Sequence, residues 1–423
     1  MTEPSPVTSV DAVAKPTIAL IGGKPKLVKK AHELGLRVVY IQYPRSYREE
    51  HWPYVDQALL MDYSDTERLL PLAKALYEAY PFQKVVSLFE LGLLPAAQLA
   101  EALGLGGNPR ATVEMLLDKW QMRRHLNALG LSPVTSAIGR TEQDLRAFVH
   151  EHGLPVVVKP TREAGSICVL AARDEAELAT VVGRYRELAG TFGADVLAGP
   201  LDEFLMEEFL DGPEISVETL SFDGRHVVVG VTDKVIGGGP GFVELGHSMP
   251  SRHPSALLEP AEALVQAFLD AVGLREGPAH TEMKLTARGP VIIESHNRVG
   301  GDKINELAEL VYGVDMDSYA LGIPFGLVEP LPESPKATGG AAIRFLTPAP
   351  GRVAEVLGAD AIADDPALVE LEIAVAPDGT VPELTWSEDR VGHVIARGET
   401  PDDAIAHCER LLAAVRIRTE TAP

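Results

Sequence analysis

Residues 280–302 read HTEMKLTARGPVIIESHNRVGGD, two strand-like runs around a turn. The runs His280–Thr286 and Val291–Asn297 predict a β-hairpin. Thr286–Pro290 (TARGP) suits a three-residue loop with Gly289 in the left-handed position. In that register Glu282 and Glu294 face each other on one side of the sheet. The two-residue period adds His296 and Arg298 to that side and puts Asn297 on the other. A two-residue turn would separate the two glutamates. Opposed carboxylates repel unless a cation lies between them. Magnesium, a hard ion held by one or two carboxylates together with substrate phosphates, meets that need. A solvated strand face with charges paired by Lys284 and Arg298 accounts for the hairpin equally well.

Upstream, Leu154–Lys159 (LPVVVK) reads as an apolar strand ending in a lysine. A bare ammonium there is costly without an anionic partner, and phosphate oxygens would supply one. The loop Pro160–Ser166 (PTREAGS) can offer backbone N–H groups and the Ser166 hydroxyl to the same phosphates. Lys119 lies on a helix over Leu116–Leu129 that opens near Asp118. Either lysine alone reads more simply as a surface residue with a buried stem. Strands are expected at Ile167–Ala171, Phe204–Phe209 and Glu214–Ser221, the last placing Glu214, Ser216 and Glu218 on one face. Asp223-Gly224 then turns the chain into Arg225–Val231.

The N-terminal part alternates Thr17–Gly22 (TIALIG), a helix at Lys26–Leu34 and a strand at Arg37–Gln42. Lys84–Leu88 and a helix to Leu103 continue the pattern, which predicts βαβ units and a parallel sheet. Gly22-Gly23 lacks the further glycine a dinucleotide loop requires. Gly340 to Ile417 contains short strands and a helix at Asp402–Val415.

Composition bounds the rest. A chain of 423 residues implies roughly two to four domains. Hydrophobic residues at 46% and charged residues at 23% exclude a disordered, collagen-like or coiled-coil chain. No apolar run approaches the roughly 18–20 residues that span a bilayer, and Met1–Pro16 lacks the apolar centre of a secretory signal. Cys168 and Cys408, far apart, fit a reducing cytoplasm. The formal net charge of −23 repels phosphate backbones and anionic membranes, so no nucleic-acid or membrane partner is expected.

In combination these segments resemble the ATP-grasp superfamily. The resemblance implies an α/β and α+β multidomain chain. A disordered tail at 1–15 precedes a Rossmann-like pre-ATP-grasp α/β domain at 16–110. The ATP-grasp domain follows at 111–330, with a small nucleotide-binding subdomain at 111–200 and a catalytic subdomain at 201–330. A small α+β domain at 331–423 closes the chain; there Val394–Gly398 (VIARG) resembles carboxylases and glycinamide ribonucleotide synthetases. By the same resemblance Lys119 and Lys159 are the phosphate-binding lysines. The run Glu207–Glu214 (EEFLDGPE) is the hinge, where the backbone of Glu208 and Leu210 meets adenine and Glu214 binds ribose, with Glu207 and Phe209 also among the ATP-binding residues. Glu282 and Glu294 are the magnesium carboxylates, with manganese as the substitute ion. His296 stands where the family has a ligating asparagine, and Asn297 is displaced by one. Arg298 takes the arginine position.

The segment Thr232-Asp233-Lys234, Gly237–Gly241 and Phe242–His247 resembles the substrate loop of the L-amino-acid ligases, the dipeptide-forming branch. That implies an enzyme of the carboxylate–amine ligase type, making an acyl phosphate with ATP and an amide bond with an amine. His247 is the expected substrate contact and proton acceptor, and Gly237–Gly241 a mobile lid. Arg298 would hold the acyl phosphate. Gly300, Gly301 and Asp302 would form a roomy acidic pocket in which Asp302 receives a positively charged substrate group. The alternatives are a carboxylase- or purine-synthesis-type ligase using bicarbonate or a ribosylamine, and a non-catalytic ATP-binding regulatory protein. The expected partners are a small carboxylate and an amine, in a cytoplasmic homodimer.

Overall fold

A computed structural model describes residues 15–192, 201–237 and 241–420. The expected disordered tail, apart from residue 15, and the middle of the expected lid, Gly238–Pro240, lie outside them. The chain divides into two compact units, residues up to 107 with Leu321–Val328, and Asn108–Ala320 with the residues from Glu329 onward.

In the first unit four parallel strands, β1 (Thr17–Ile21), β2 (Arg37–Gln42), β3 (Gln57–Leu60) and β4 (Lys84–Val86), lie in the order β3-β2-β1-β4. Strand β1 is apolar throughout because both of its faces are covered. Ala19 and Ile21 pack under Leu69, Ala73 and Leu99. Ile18 and Leu20 pack with Leu27, Val28 and Ala31 on the other side.

The second unit begins with a four-stranded antiparallel sheet of β5 (Ser136–Gly139), β6 (Val156–Lys159), β7 (Leu170–Ala172) and β8 (Phe204–Glu208), ordered β5-β8-β6-β7. Helices Glu142–His152 and Glu175–Ala189 cover it, each opened by a side-chain cap, Thr141 and Asp174. The strand expected at Ile167–Ala171 is shorter, because Ser166 and Cys168 take left-handed backbone (φ 61° and 54°) and extend the loop. The helix expected over Leu116–Leu129 is two helices broken at Asp118, which caps the second one.

Eight antiparallel strands form the main sheet. They are β9 (Glu214–Phe222), β10 (Arg225–Ile236), β11 (Glu244–Met249), β12 (Gly277–Thr286), β13 (Gly289–His296), β14 (Gly340–Phe345), β16 (Leu368–Ile373) and β18 (Gly392–Gly398). Their order is β13-β12-β9-β10-β11-β14-β18-β16, so residues 340–398 extend the sheet that residue 214 begins. A three-stranded sheet of β15 (Gly351–Leu357), β17 (Thr380–Val381) and β19 (Arg416–Glu420) lies in the order β17-β15-β19. Ile215, Val217, Met283, Leu285 and Ile292 pack on helix Ser255–Val272 through Val265, Phe268 and Leu269.

The hairpin differs from expectation in its turn. Thr286 pairs with Gly289, so the loop is the two residues Ala287 and Arg288. That turn alone would set Glu282 opposite Ile293. A bulge at Ile293 takes up the extra residue, and Glu282 again pairs with Glu294.

Candidate active site

Residues that alternate with the Ile215–Leu285 core emerge on the opposite face of the main sheet. Strand β9 presents Glu214, Ser216 and Glu218, and β12 presents His280, Glu282 and Lys284. Cross-strand pairing sets Glu218 beside His280, Glu282 beside Ser216 and Glu214 beside Lys284. Lys234 of β10 is paired with His247 of β11. The result is a polar face four strands wide. Together with the small sheet it borders an open cavity lined by Lys119, Lys159, Ser166, Glu207–Leu210, Glu214, Glu244, Glu282 and Glu294, among others.

The two predicted lysines come together here. Lys119, the first residue of its helix, places its ammonium 2.8 Å from Glu294 Oε2 and also donates to the Glu163 carbonyl. Its backbone N–H donates to Thr161 O at 2.7 Å, tying the helix to the loop after β6. Lys159 lies 2.6 Å from Glu207 Oε2, so its partner in this structure is a carboxylate of the chain itself. The other oxygen of Glu207 accepts from Arg123 Nε at 2.7 Å. Burial alone would raise the Glu207 carboxyl, but Arg123 and Lys159 bring it down to about 2. Glu207, expected among the ATP-binding residues, therefore clamps Lys159.

At the hinge, Glu208, Phe209 and Leu210 line the cavity wall. The Glu208 N–H donates to Thr135 O at 3.0 Å. The hydroxyl of Ser166 donates to Phe242 O at 2.9 Å. Glu214 lies 3.2 Å from Lys234 and 3.1 Å from Lys284.

Lys234 is the centre of the face. Its buried ammonium lies 2.7 Å from Glu282, 3.2 Å from Glu214 and 3.2 Å from Glu244. Burial works against that charge, yet Glu282, Glu244 and Glu214 outweigh it and hold the ammonium well above its ordinary range. Glu282, in turn, is held below the usual carboxylate range, because Lys234 and His280 overcome its burial. Glu294 is lowered likewise by Lys119 and His296. His280 Nδ1 meets both Glu218 oxygens at 2.9 Å. Burial lowers that imidazole, and Glu218 brings it up to about 9. His296 Nε2 lies 3.2 Å from Glu294 Oε1 and props that carboxylate. The side-chain oxygen of Asn297 is buried without a hydrogen-bond partner among the described residues.

Arg298 donates to the Val299 carbonyl at 2.9 Å. Gly300 is required by crowding, since a Cβ there would meet His280 Nδ1 at 2.9 Å; a Cβ on Gly301 would meet open space. Asp302 departs from expectation. Its Oδ1 accepts from Arg390 at 2.5 Å, and its Oδ2 accepts from Arg390 at 2.8 Å and lies 2.9 Å from His247 Nε2. The cation expected at Asp302 from a substrate is supplied by the chain's own Arg390.

Sequence reasoning missed Arg123 and Arg390 and left Lys234 and Glu244 without a role. Lys234 carried the same signal as Lys159, a lysine near the end of an apolar strand. Arg390 carried none, since its partner is 88 residues away.

Comparison with known proteins matches residues 152–306 to an ATP-grasp domain, 28–107 to an ATP-grasp N-terminal domain and 344–420 to L-amino acid ligase C-terminal domain 2. Alanine–anticapsin ligase of Bacillus subtilis is 33% identical over 264 residues, 58% of this chain and 54% of that one. Human carnosine synthase 1 is 30% identical over 258 residues, 58% of this chain and 31% of that one. The chain thus spans about half the length of the first relative and a third of the second. The L-amino acid ligase of Bacillus licheniformis superposes with a TM-score of 0.80 at 22% identity, covering 96% of this chain and 99% of that one. Among the described residues no helix is long and apolar enough to cross a membrane.

Proposed function

We propose that this chain, a member of the ATP-grasp superfamily, is an ATP-dependent carboxylate–amine ligase that activates an amino acid carboxylate and joins it to an amine. The observation that supports it best is the convergence of Lys119, Lys159, Glu282 and Glu294 on one cavity beside the hinge. A pure nucleotide binder has no need of that full set.

Glu207 and Arg123 hold Lys159 toward the phosphates, and the loop after β6 brings Lys119 to the same place. The Glu208 N–H is engaged by Thr135; its carbonyl and the Leu210 backbone would meet adenine, with Glu214 at the ribose. The donor set suits a hard divalent ion, two carboxylates with the unpartnered Asn297 oxygen close by in sequence. Glu282 and Glu294 would hold magnesium or manganese, which would supply neutralisation of the phosphate charge. His296 acts through Glu294.

In the reaction, a carboxylate oxygen of the first substrate takes the γ-phosphoryl group and ADP leaves. The amine nitrogen then attacks the acyl carbon, the amide C–N bond forms and phosphate departs. The planar fork of Arg298 suits the carboxylate and the acyl phosphate, and His247 takes the proton from the amine.

The test is phosphate release from Mg·ATP across single and paired L-amino acids, with and without bicarbonate. Release with particular pairs, together with a new peptide mass, is the expected result. Release that requires bicarbonate transfers the reading to a carboxylase-type ligase, and no release from any pair overturns it.

A further inference from the structure

Asp302 and the next residue, Lys303, both take left-handed backbone, with φ 55° and 64°. Neither is glycine, so the conformation is strained at both and persists only where surrounding contacts over-determine it. Both are clamped by side chains that enter from the C-terminal segment. Lys303 pairs with Glu370 at 2.8 Å, and Asp302 with Arg390 through both oxygens. Arg390 is itself fixed on every side. It donates to the Ser387 and Glu244 carbonyls, and its guanidinium carbon lies 3.7 Å from the centre of the Phe345 ring. His247 stands edge-on to the same ring, 6.0 Å between centres.

The consequence falls on His247. Its side chain is 1% exposed, and among the described residues its side-chain partner is Asp302 Oδ2, at Nε2. A carboxylate can only accept, so in the neutral imidazole the proton sits on Nε2 and Nδ1 carries the lone pair. Nδ1 is buried and has no hydrogen-bond partner among the described residues. Buried polar atoms are almost always partnered, and an acceptor left bare in this way points to a donor that the described residues do not provide.

We propose that Arg390 is a positioning residue of the ligase. It locks Asp302, which sets the tautomer and orientation of His247 so that Nδ1 is presented to the N–H of the amine substrate. The class of donor that fits is an uncharged, hydrogen-bearing nitrogen, the nucleophilic form of an amine. The same lock withdraws Asp302 from binding a cationic substrate group. Ser387, from the same turn, donates to Glu244 Oε2 at 2.7 Å and its N–H to Gly165 O at 3.1 Å. One short segment thus holds both the histidine and the loop after β6.

This assignment rests on the proposed ligase reading, and the test separates the two. The full chain is labelled with 15N-histidine, the His247 resonances are assigned through His247→Gln, and the ring tautomer is read in the wild type, Arg390→Ala and Arg390→Lys. The wild type is expected to show a single Nε2–H form. Arg390→Ala is expected to show a mixture that millimolar guanidinium returns to the wild-type form, and Arg390→Lys an intermediate state. In amide formation Arg390→Lys should lose at least tenfold in kcat while the KM for ATP changes less than twofold. A wild-type tautomer in folded Arg390→Lys, with kcat unchanged, overturns the proposal even where Arg390→Ala fails to fold. A wild type that forms no amide with any pair, but whose tautomer still responds to Arg390, overturns the ligase reading and leaves the positioning of His247 by Arg390 standing.

Discussion

At the scale of single residues, the cavity is governed by charges that cannot be removed singly. Glu207 lies between Lys159 and a wholly buried Arg123. Glu207→Gln leaves that guanidinium against a neutral amide, and breaking a buried pair from one side costs about 3–5 kcal/mol. The pH dependence follows from the sign of the shift. The carboxyl is lowered from 4.5 to about 2 on folding, so its stabilisation is full above 4.5 and is lost as pH falls toward 2. Urea unfolding of both proteins should therefore show a wide gap at pH 7 that narrows at pH 3; an equal gap at both refutes the account. Lys234 makes the converse case. Lys234→Met leaves Glu214, Glu244 and Glu282 close together with their central cation gone, and the protein should melt at a lower temperature. A divalent ion can replace the lost ammonium, so added magnesium should raise the melting temperature more in Lys234→Met than in the wild type. Equal shifts in calorimetry would remove the cationic role assigned to Lys234.

At the scale of elements, the hinge between β8 and β9 depends on one glycine. Gly212 has φ 138°, and a Cβ there would collide with the Leu285 carbonyl of β12. Since backbone rather than a flexible side chain stands in the way, Gly212→Ala must move the hinge or the hairpin. A cost of about 1–3 kcal/mol is expected, with weaker ATP binding, because Glu208–Leu210 line the cavity directly before it. Titration calorimetry with ATP checks this, and an unchanged affinity would show that the hinge does not touch the nucleotide. The same scale shows what could be read from the residues and why. Period two along Glu214–Glu218 and His280–Lys284 displayed the polar face directly, and Lys159 was visible as a charge at the end of an apolar strand, whereas Lys119, on a helix, was singled out by the resemblance. The Glu282–Glu294 pairing was anticipated with the wrong turn, and the bulge at Ile293 made up the difference. A bulge of this kind leaves no mark in an apolar run, where Ile292 and Ile293 look alike. Arg123–Glu207 and Arg390–Asp302 were invisible because they join residues 84 and 88 apart with no local pattern between them.

At the scale of the whole chain, the question is whether the catalytic face exists without the C-terminal residues. Strand β11 carries Glu244 and His247, and its far side is hydrogen-bonded to β14 through Gly246–Met249. Strands β18 and β16 continue outward from there, backed by helix Pro401–Ala414. Ending the chain at residue 330, the boundary implied by the resemblance, would expose the edge of β11 and remove the core formed by Ala342, Val394 and Leu411. Open, hydrophobic edges of this type template association. The same cut removes Ser387 from Glu244 and Arg390 from Asp302, and Trp386 from the hydrophobic core of the small sheet. The shortened chain is therefore expected to elute as aggregates in size-exclusion chromatography and to bind ATP at least tenfold more weakly than the full chain. A monodisperse product with full-length ATP affinity would show instead that residues 111–330 form an independent catalytic body. In that case the ion pairs of Arg390 and Ser387 would be additions to a site that is complete without them.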